Sequence, residues 1–331
     1  MTIVKNELLT LEDASARIRA GAILSIAGDE ALLGQLPRGS WIGGTSVYFV
    51  TDTGGAVIRD RLFCTTIERA TAATIRTIDP DDLASIPSGY VEGGFSLVLI
   101  PAFSRAHATF AMDGAGYPGF FAQPLMGWIS GVHLDDIGRV TPKVFDGQTG
   151  LALEDAAVVM HLALGAGDRG DLDIVNIFSR SDDDSLTFRF PQTGFSAQTA
   201  LVNGQQVSLA RFLTENGIDT RLPLIADYGG ALVNVSVQSV DVAADTVAFY
   251  APVMAGVDYR LARPLPDYRA AFAGQLGTAG SGQFSCNCIL NYLYGDLEGK
   301  ATGGFTGPVT FGEIAYMLLN QTLVRLDVTP A

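Results

Sequence analysis

The run ALVNGQQVSL at residues 200–209 decides how the second half of the chain is read. Asn203-Gly204 is a two-residue pair suited to a type I′ turn, whose backbone twist matches that of the strands it joins, so 200–202 and 206–209 read as a hairpin. The reading extends into LPLIADYGGALVNVSVQSVDVAADTVAFYAPV at 222–253. There 222–227, 231–240 and 246–253 alternate valine with polar residues, with a turn at Gly229-Gly230, which is the pattern of consecutive half-buried antiparallel strands. Short helices are expected at 209–216, stopped by Gly217, and at 266–276. A strand at 283–286 leads into 289–294, and 305–328 closes the chain with alternating segments. This part reads as α+β.

Working outward, the first half has a different rhythm. Thr10 stands as an N-cap with Asp13 three positions on, Leu11, Ala14 and Ile18 share a helix face, and Gly21 stops it. A strand at 22–27, a short helix at 30–36 and a second strand at Trp41-Ile42 follow, the last running into a turn at Gly43-Gly44-Thr45-Ser46. That alternation predicts an α/β sheet. From Val47 hairpins take over, at 48–51 and 57–67 around a Gly54-Gly55 turn. Asp79-Pro80 is a suitable N-cap and first helical residue for a helix to Ile86. Residues 95–100 read as a buried strand, 104–112 and 156–164 as helices, and 114–150 as strands and loops without clear periodicity. Asp182, Asp183 and Asp184 mark a polar loop. The expected organisation is therefore α/β to α+β in two domains, 1–185 and 186–331, each a mostly antiparallel or mixed sheet with packed helices.

Composition sets outer limits. With 331 residues, 48% of them hydrophobic, the chain has ample material for a core and is not a disordered one. Only 17% are charged, and 38 are glycine. The 21 basic and 35 acidic residues leave a net charge of −14, of which −11 falls in 1–185. Such a balance repels a phosphate backbone and an anionic bilayer, so neither nucleic acid nor a membrane is expected as a partner. Apolar runs such as 95–103 fall short of the roughly 20 residues that span a bilayer, and 1–11 carries no signal-like core, which gives a cytoplasmic expectation. The three cysteines, Cys64, Cys286 and Cys288, do not suit a disulfide framework and are expected as free thiols.

A resemblance enters at the C-terminal end. Phe284-Ser285-Cys286, then Gly304-Phe305-Thr306, Phe311-Gly312-Glu313-Ile314 and Leu319-Asn320-Gln321-Thr322-Leu323 resemble the closing signature of the FIST sensory domain family. Val202-Asn203-Gly204, 222–224, 235–250 and Tyr259-Arg260-Leu261 agree in order upstream, and Ile42-Gly43-Gly44-Thr45-Ser46 resembles the glycine-containing strand end of that family's N-terminal module. Cys288, Leu290 and Asn291 stand where the family usually carries an arginine. The resemblance implies a non-catalytic small-molecule sensor with a pocket between its two halves, acting on a signalling protein in trans. It also brings one cofactor alternative, haem b as in a nitric oxide sensor.

The residues offer several constellations. Glycines at strand ends, Gly43, Gly44, Gly303 and Gly304, either bring backbone N–H groups close to a ligand or simply make tight turns. In an extended Cys286-Asn287-Cys288 the two thiols share a face, as buried small side chains or as a reactive pair; no local base is present to ionise either. Glu313 among apolar neighbours is either a ligand-recognising carboxylate or a turn lock. Asn320 and Gln321 offer donors and acceptors to a ligand or to backbone. Tyr117, Phe120, Phe121 and Trp128 either line a pocket or anchor loops. The candidate ligand-binding set is Gly44, Thr45, Ser46, Cys286, Asn287, Cys288, Phe305, Glu313 and Asn320, with no metal and no cofactor. Under the haem alternative His161 or His133 is the axial ligand; under a thiol-dependent hydrolase or transferase, Cys286 or Cys288 is the nucleophile.

Overall fold

Five sheets organise the computed structural model, which describes residues 4–181, 186–228, 230–276, 283–301 and 304–330. The first runs in the order Val4–Leu9, Leu62–Ile67, Leu24–Gly28, Trp41–Thr45, Val144–Asp146, Leu151–Leu153. The second runs Met317–Leu319, Glu313–Ala315, Leu125–Ser130, Phe95–Pro101, Ala157–Leu164, Ala70–Ile78. The third runs Asp168–Val175, Leu323–Pro330, Phe284–Cys288, Gly307–Thr310, Tyr48–Thr51, Gly54–Val57. Each contains one parallel pair among antiparallel ones, so the expected mixed α/β class is the observed one.

One face of each of these sheets contributes to a shared core. Ile42 and Phe63, Leu97 and Trp128, and Phe284 and Leu326 meet there, all nearly inaccessible to water. The opposite faces are covered by helices. Leu11–Arg19 and Glu30–Leu33 bury Ala14, Ile18 and Leu33 on the first sheet, and Arg105–Asp113 buries Ala106 and Phe110 on the second. Tyr268–Leu276 and Ile289–Tyr294 bury Phe272, Leu276 and Ile289 on the third. Strands buried on both faces read as continuous apolar runs, which is what FSLVLIP at Phe95–Pro101 is.

Local signals account for many of the boundaries. Thr10 accepts from the Asp13 N–H at 3.1 Å, Ser104 from the His107 N–H at 3.0 Å, and Gly21 leaves its helix at φ 84°. Asn203 and Gly204 take φ 52° and 80° between Thr199–Val202 and Gln205–Ser208, the turn expected of that pair. Together with Thr187–Arg189, Asp258–Leu261, Leu224–Tyr228 and Ala231–Val235 this hairpin makes the fourth sheet. Gly194–Ala197, Thr246–Val253 and Val237–Asp241 make the fifth. The two close over their own core of Phe188, Phe190, Leu209 and Phe249.

Four expectations are corrected. The run 156–164 is the strand Ala157–Leu164, not a helix: a short apolar run fits either, and pairing with Phe95–Pro101 on one side and Ala70–Ile78 on the other settles it. Gly43 and Gly44 lie inside the strand Trp41–Thr45 rather than in a turn after it. The run 231–240 breaks at Ser236 into strands of two different sheets. The division after Ser185 cuts through sheets, since Glu313–Ala315 pairs with Leu125–Ser130 and Leu323–Pro330 with Asp168–Val175. What stands apart in the pairing is the segment 186–261, inserted between strands that return to the first half. The aspartate loop at 182–184 and the turn glycines Gly229 and Gly303 lie outside the described residues.

Candidate functional site

Glu313, at the start of its strand, is completely inaccessible to water. Its carboxyl accepts from the Thr322 hydroxyl at 2.8 Å and the Thr322 N–H at 3.3 Å, and lies 3.3 Å from the Thr310 hydroxyl. Burial pushes its pKa up to about 8, against the pull of the Thr322 hydroxyl and N–H, the Cys288 thiol and Thr310. A neutral carboxyl at pH 7 fits the geometry. The Thr310 hydroxyl also lies 3.3 Å from the Asn287 carbonyl and 3.2 Å from that of Gly312. Having one proton to give, it can spend it on a carbonyl and accept the carboxyl proton on its oxygen.

The two thiols diverge in surroundings. Cys286 enters the three-sheet core, with Sγ 3.5 Å from the Gly127 carbonyl, whereas Cys288 packs with Ile289, Leu290 and Tyr292. Burial raises both pKa values well above that of a free thiol, and the Glu313 charge adds to the effect. For Cys288 the backbone N–H groups of Gln321 and Leu290 pull the other way. Cys64 is likewise pushed up to about 12 by burial. A disulfide reagent at pH 7.5 should therefore modify all three at least tenfold more slowly than free cysteine, and all three at full rate in denaturant. One cysteine reacting natively at the free-thiol rate would refute the assignment.

Between these groups and the Arg105–Asp113 helix lies a cavity of about 300 Å³. Its inner surface includes Cys288, Leu290 and Asn320, its walls Phe195, Phe249 and Phe311, and among the described residues no charged side chain lines it. Two of its lining residues, Asn320 and His107, each carry a buried polar atom without a hydrogen-bond partner, Oδ1 and Nε2. Asn320 is only 1% exposed, and its Nδ2 donates to the Leu319 carbonyl at 3.1 Å. Burial lowers the His107 pKa to about 4, so its ring is neutral at pH 7, and it meets the edge of Phe195 at 6.2 Å. Phe103, at the mouth, holds φ 64°, a left-handed conformation that is costly for a bulky side chain, and Gln321 beside Asn320 holds 49°.

The other sequence candidates lie elsewhere. Gly44 faces no opening: a Cβ there would fall 2.5 Å from the Trp128 ring. Thr45 and Ser46 line a second cavity of about 600 Å³ with Arg59 and His133. Thr45 Oγ1 accepts from the Lys143 N–H at 3.0 Å, and Ser46 Oγ donates to the Val309 carbonyl at 2.8 Å. Asn287 is fully buried and accepts from Asn291 Nδ2 at 3.0 Å, and Phe305 is a core side chain. The expectation of one pocket touched by Thr45-Ser46, the Cys286 to Cys288 strand and Glu313 is thus corrected. Cys288 and Asn320 line one cavity, Thr45 and Ser46 another, and Glu313 sits behind the first without lining it.

The haem positions change as well. His161 Nδ1 is 2.8 Å from Ser96 Oγ, and its Nε2 is covered by Gly89, where a Cβ would fall 2.2 Å away; it opens on neither cavity. His133 stacks on Tyr48 and accepts from the Asp135 N–H at 3.2 Å, and its cavity sets the carboxylates Asp29, Glu30 and Asp136 among apolar residues, which suits a haem face poorly. Among the described residues no three His, Cys, Asp or Glu side chains gather to hold a metal ion.

His107, Phe103 and Phe195 were not marked as site residues by the sequence. Ser104 signals the cap that positions His107, but no local pattern tells that Phe195 crosses to meet it.

Sheets of mixed direction under helices define a mixed α/β protein, with a cavity at the junction of segments distant in sequence. The chain belongs to DUF6976, a family of unknown function, which it matches over residues 9–329. No curated protein matches it. Among the described residues no helix is long and apolar enough to cross a membrane.

Proposed function

We propose that this chain is a small-molecule-binding protein of sensory type whose ligand occupies the cavity between Arg105–Asp113, Thr246–Val253 and Ile289–Tyr294. The observation that carries the reading is the unpaired Asn320 Oδ1, almost fully buried in an apolar cavity beside the unpaired His107 Nε2. An orphaned buried acceptor costs about 1–3 kcal/mol, which a ligand donor recovers. The lining comes from segments distant in sequence, and the FIST resemblance supports sensing with output to a partner protein in trans. A cytoplasmic setting belongs to the same reading.

The thiol-dependent hydrolase or transferase is disfavoured. Cys288 is held as a protonated thiol by burial and by Glu313 behind it, where a nucleophile needs a lowered pKa. A haem sensor is disfavoured by the surroundings of His161 and His133 described above.

Mass spectrometry of molecules that remain with the desalted native protein tests the proposal. Wild type should retain a small molecule that Asn320→Leu loses, and adding it back should raise the melting temperature of wild type alone. No retained molecule, together with no shift across a broad metabolite set, would sink it.

A further inference from the structure

We infer that the ligand of this cavity is an uncharged amphiphile with a hydroxyl or N–H at one end, bound with that polar end innermost and its apolar end at the mouth. The inference rests on the binding function proposed above and adds the ligand's class and direction.

Charge is the first discriminator. Among the described residues no Asp, Glu, Lys or Arg lines the cavity, and the His107 ring is neutral. A carboxylate, phosphate or ammonium brought inside would lose its hydration with no counter-charge to replace it, a penalty far larger than that of a neutral polar group. Anionic lipids, nucleotides and free amino acids are selected against on that ground.

Polarity gives direction. The unpaired acceptor belongs to Asn320, a lining residue that, like Cys288, is 1% exposed. Asn320 Oδ1 has lone pairs to offer, so its complement is a donor, O–H or N–H, rather than an ether or ester oxygen. The neutral imidazole of His107 supplies the second contact, as donor or acceptor according to its tautomer. The mouth is the reverse. Phe103, Ile137 and Leu293 are 59%, 45% and 42% exposed there, with Gln238 as an exposed polar neighbour.

A large apolar rim above a floor whose unpaired polar group is Asn320 suits a molecule that enters head first and leaves its chain against the rim. Phe103 is held in that position by its left-handed backbone and by an edge contact to Phe311 at 6.0 Å. Phe311 in turn lies on Gly131, where a Cβ would fall 2.3 Å from its ring. The rim is therefore fixed from below rather than loosely attached.

Isothermal titration of the full chain with hexan-1-ol, octan-1-ol and decan-1-ol tests this, alongside 1-methoxyheptane, octanoate and octylammonium at pH 7. The alcohols should bind, gaining about twofold to fourfold per added methylene. The ether, which lacks the donor, and the two ions should each bind octanol's site at least tenfold more weakly. Asn320→Leu should erase the preference for alcohol over ether. Phe103→Ser should flatten the chain-length series and leave that preference intact. Because the alcohol, ether and ion comparison uses wild type alone, it holds even if a variant fails to fold. Octanoate or octylammonium binding as tightly as octanol, or alcohol and ether binding alike, overturns the inference. If none of these probes binds but another retained molecule fills the cavity, the amphiphile class is wrong and the binding function survives. If nothing of any class binds, both fall.

Discussion

Glu313→Gln should change the pH dependence of stability more than any other single substitution at the site. In the folded protein the Glu313 pKa is raised by burial to about 8, against 4.5 for the free side chain. Between those values the folded state holds a proton that the unfolded chain gives up. Stability is therefore fully present below pH 4.5 and falls as the pH rises through the folded value. At about 1.4 kcal/mol per pH unit the loss approaches roughly 5 kcal/mol, and full burial leaves no solvent to screen it. Glutamine does not titrate, so its variant lacks this slope.

Two histidines act in the opposite sense. His107 and His161 are lowered to about 4 by burial, His161 with a further push from Arg76, so they remove stability as the pH falls below about 6.5. The difference between wild type and Glu313→Gln cancels them. Urea melts at pH 5, 6.5 and 8 should show wild type ahead at the acid end, with its lead shrinking or reversing by pH 8. Parallel curves for the two proteins would show that Glu313 does not bind its proton in the folded state in this range.

The neutral state also explains why so polar a residue is tolerated behind an apolar cavity. An ionised Glu313 would need every neighbouring hydroxyl as a donor, yet the Thr310 hydroxyl is within reach of two backbone carbonyls. A protonated one closes the set with each hydroxyl used once. Cys288, between this carboxyl and the cavity, is then a small buried contact surface and not a nucleophile.

Sequence patterns exposed the parts of this arrangement that local physics governs. The cap at Thr10 and the Asn203-Gly204 turn are each decided by a few adjacent residues, and each stands where the pattern puts it. The run 156–164 around His161 reads as a helix because its eight apolar residues carry no period that separates a central strand from a buried helix; only partners about sixty positions away do. The site was legible in part for the same reason. Cys288 and Asn320 fall within a recognisable C-terminal signature, but the cavity they share is completed by His107 and Phe195, brought there by tertiary packing. Gly44 shows the converse. A glycine next to Thr-Ser suggests a ligand turn, whereas its lack of a side chain serves the large ring of Trp128.

Gly44 and Gly127 both lie beside Trp128, one across from its ring and one next to it in the chain, and alanine should destabilise at both for different reasons. At Gly44 the new Cβ meets the Trp128 ring at 2.5 Å, and the ring, 1% exposed, has no free space to swing into. Overpacking of this kind costs about 1–3 kcal/mol. At Gly127 the new Cβ falls 1.7 Å from the Val98 carbonyl oxygen, on the neighbouring parallel strand. A ring can slide by a few tenths of an ångström, but that carbonyl is fixed in a central strand flanked on both sides, so relief requires parting the ladder itself. Gly127→Ala should therefore lose more than about 4 kcal/mol, or yield no folded protein, despite the roughly 0.5–1 kcal/mol that alanine ordinarily gains over glycine in chain entropy. Gly44→Ala should fold, melt at lower urea and still bind whatever wild type binds, because Trp128 stands in the three-sheet core and not in the cavity wall. A Gly44→Ala protein of wild-type stability that has lost its ligand would reverse the assignment and return Gly44 to the binding site.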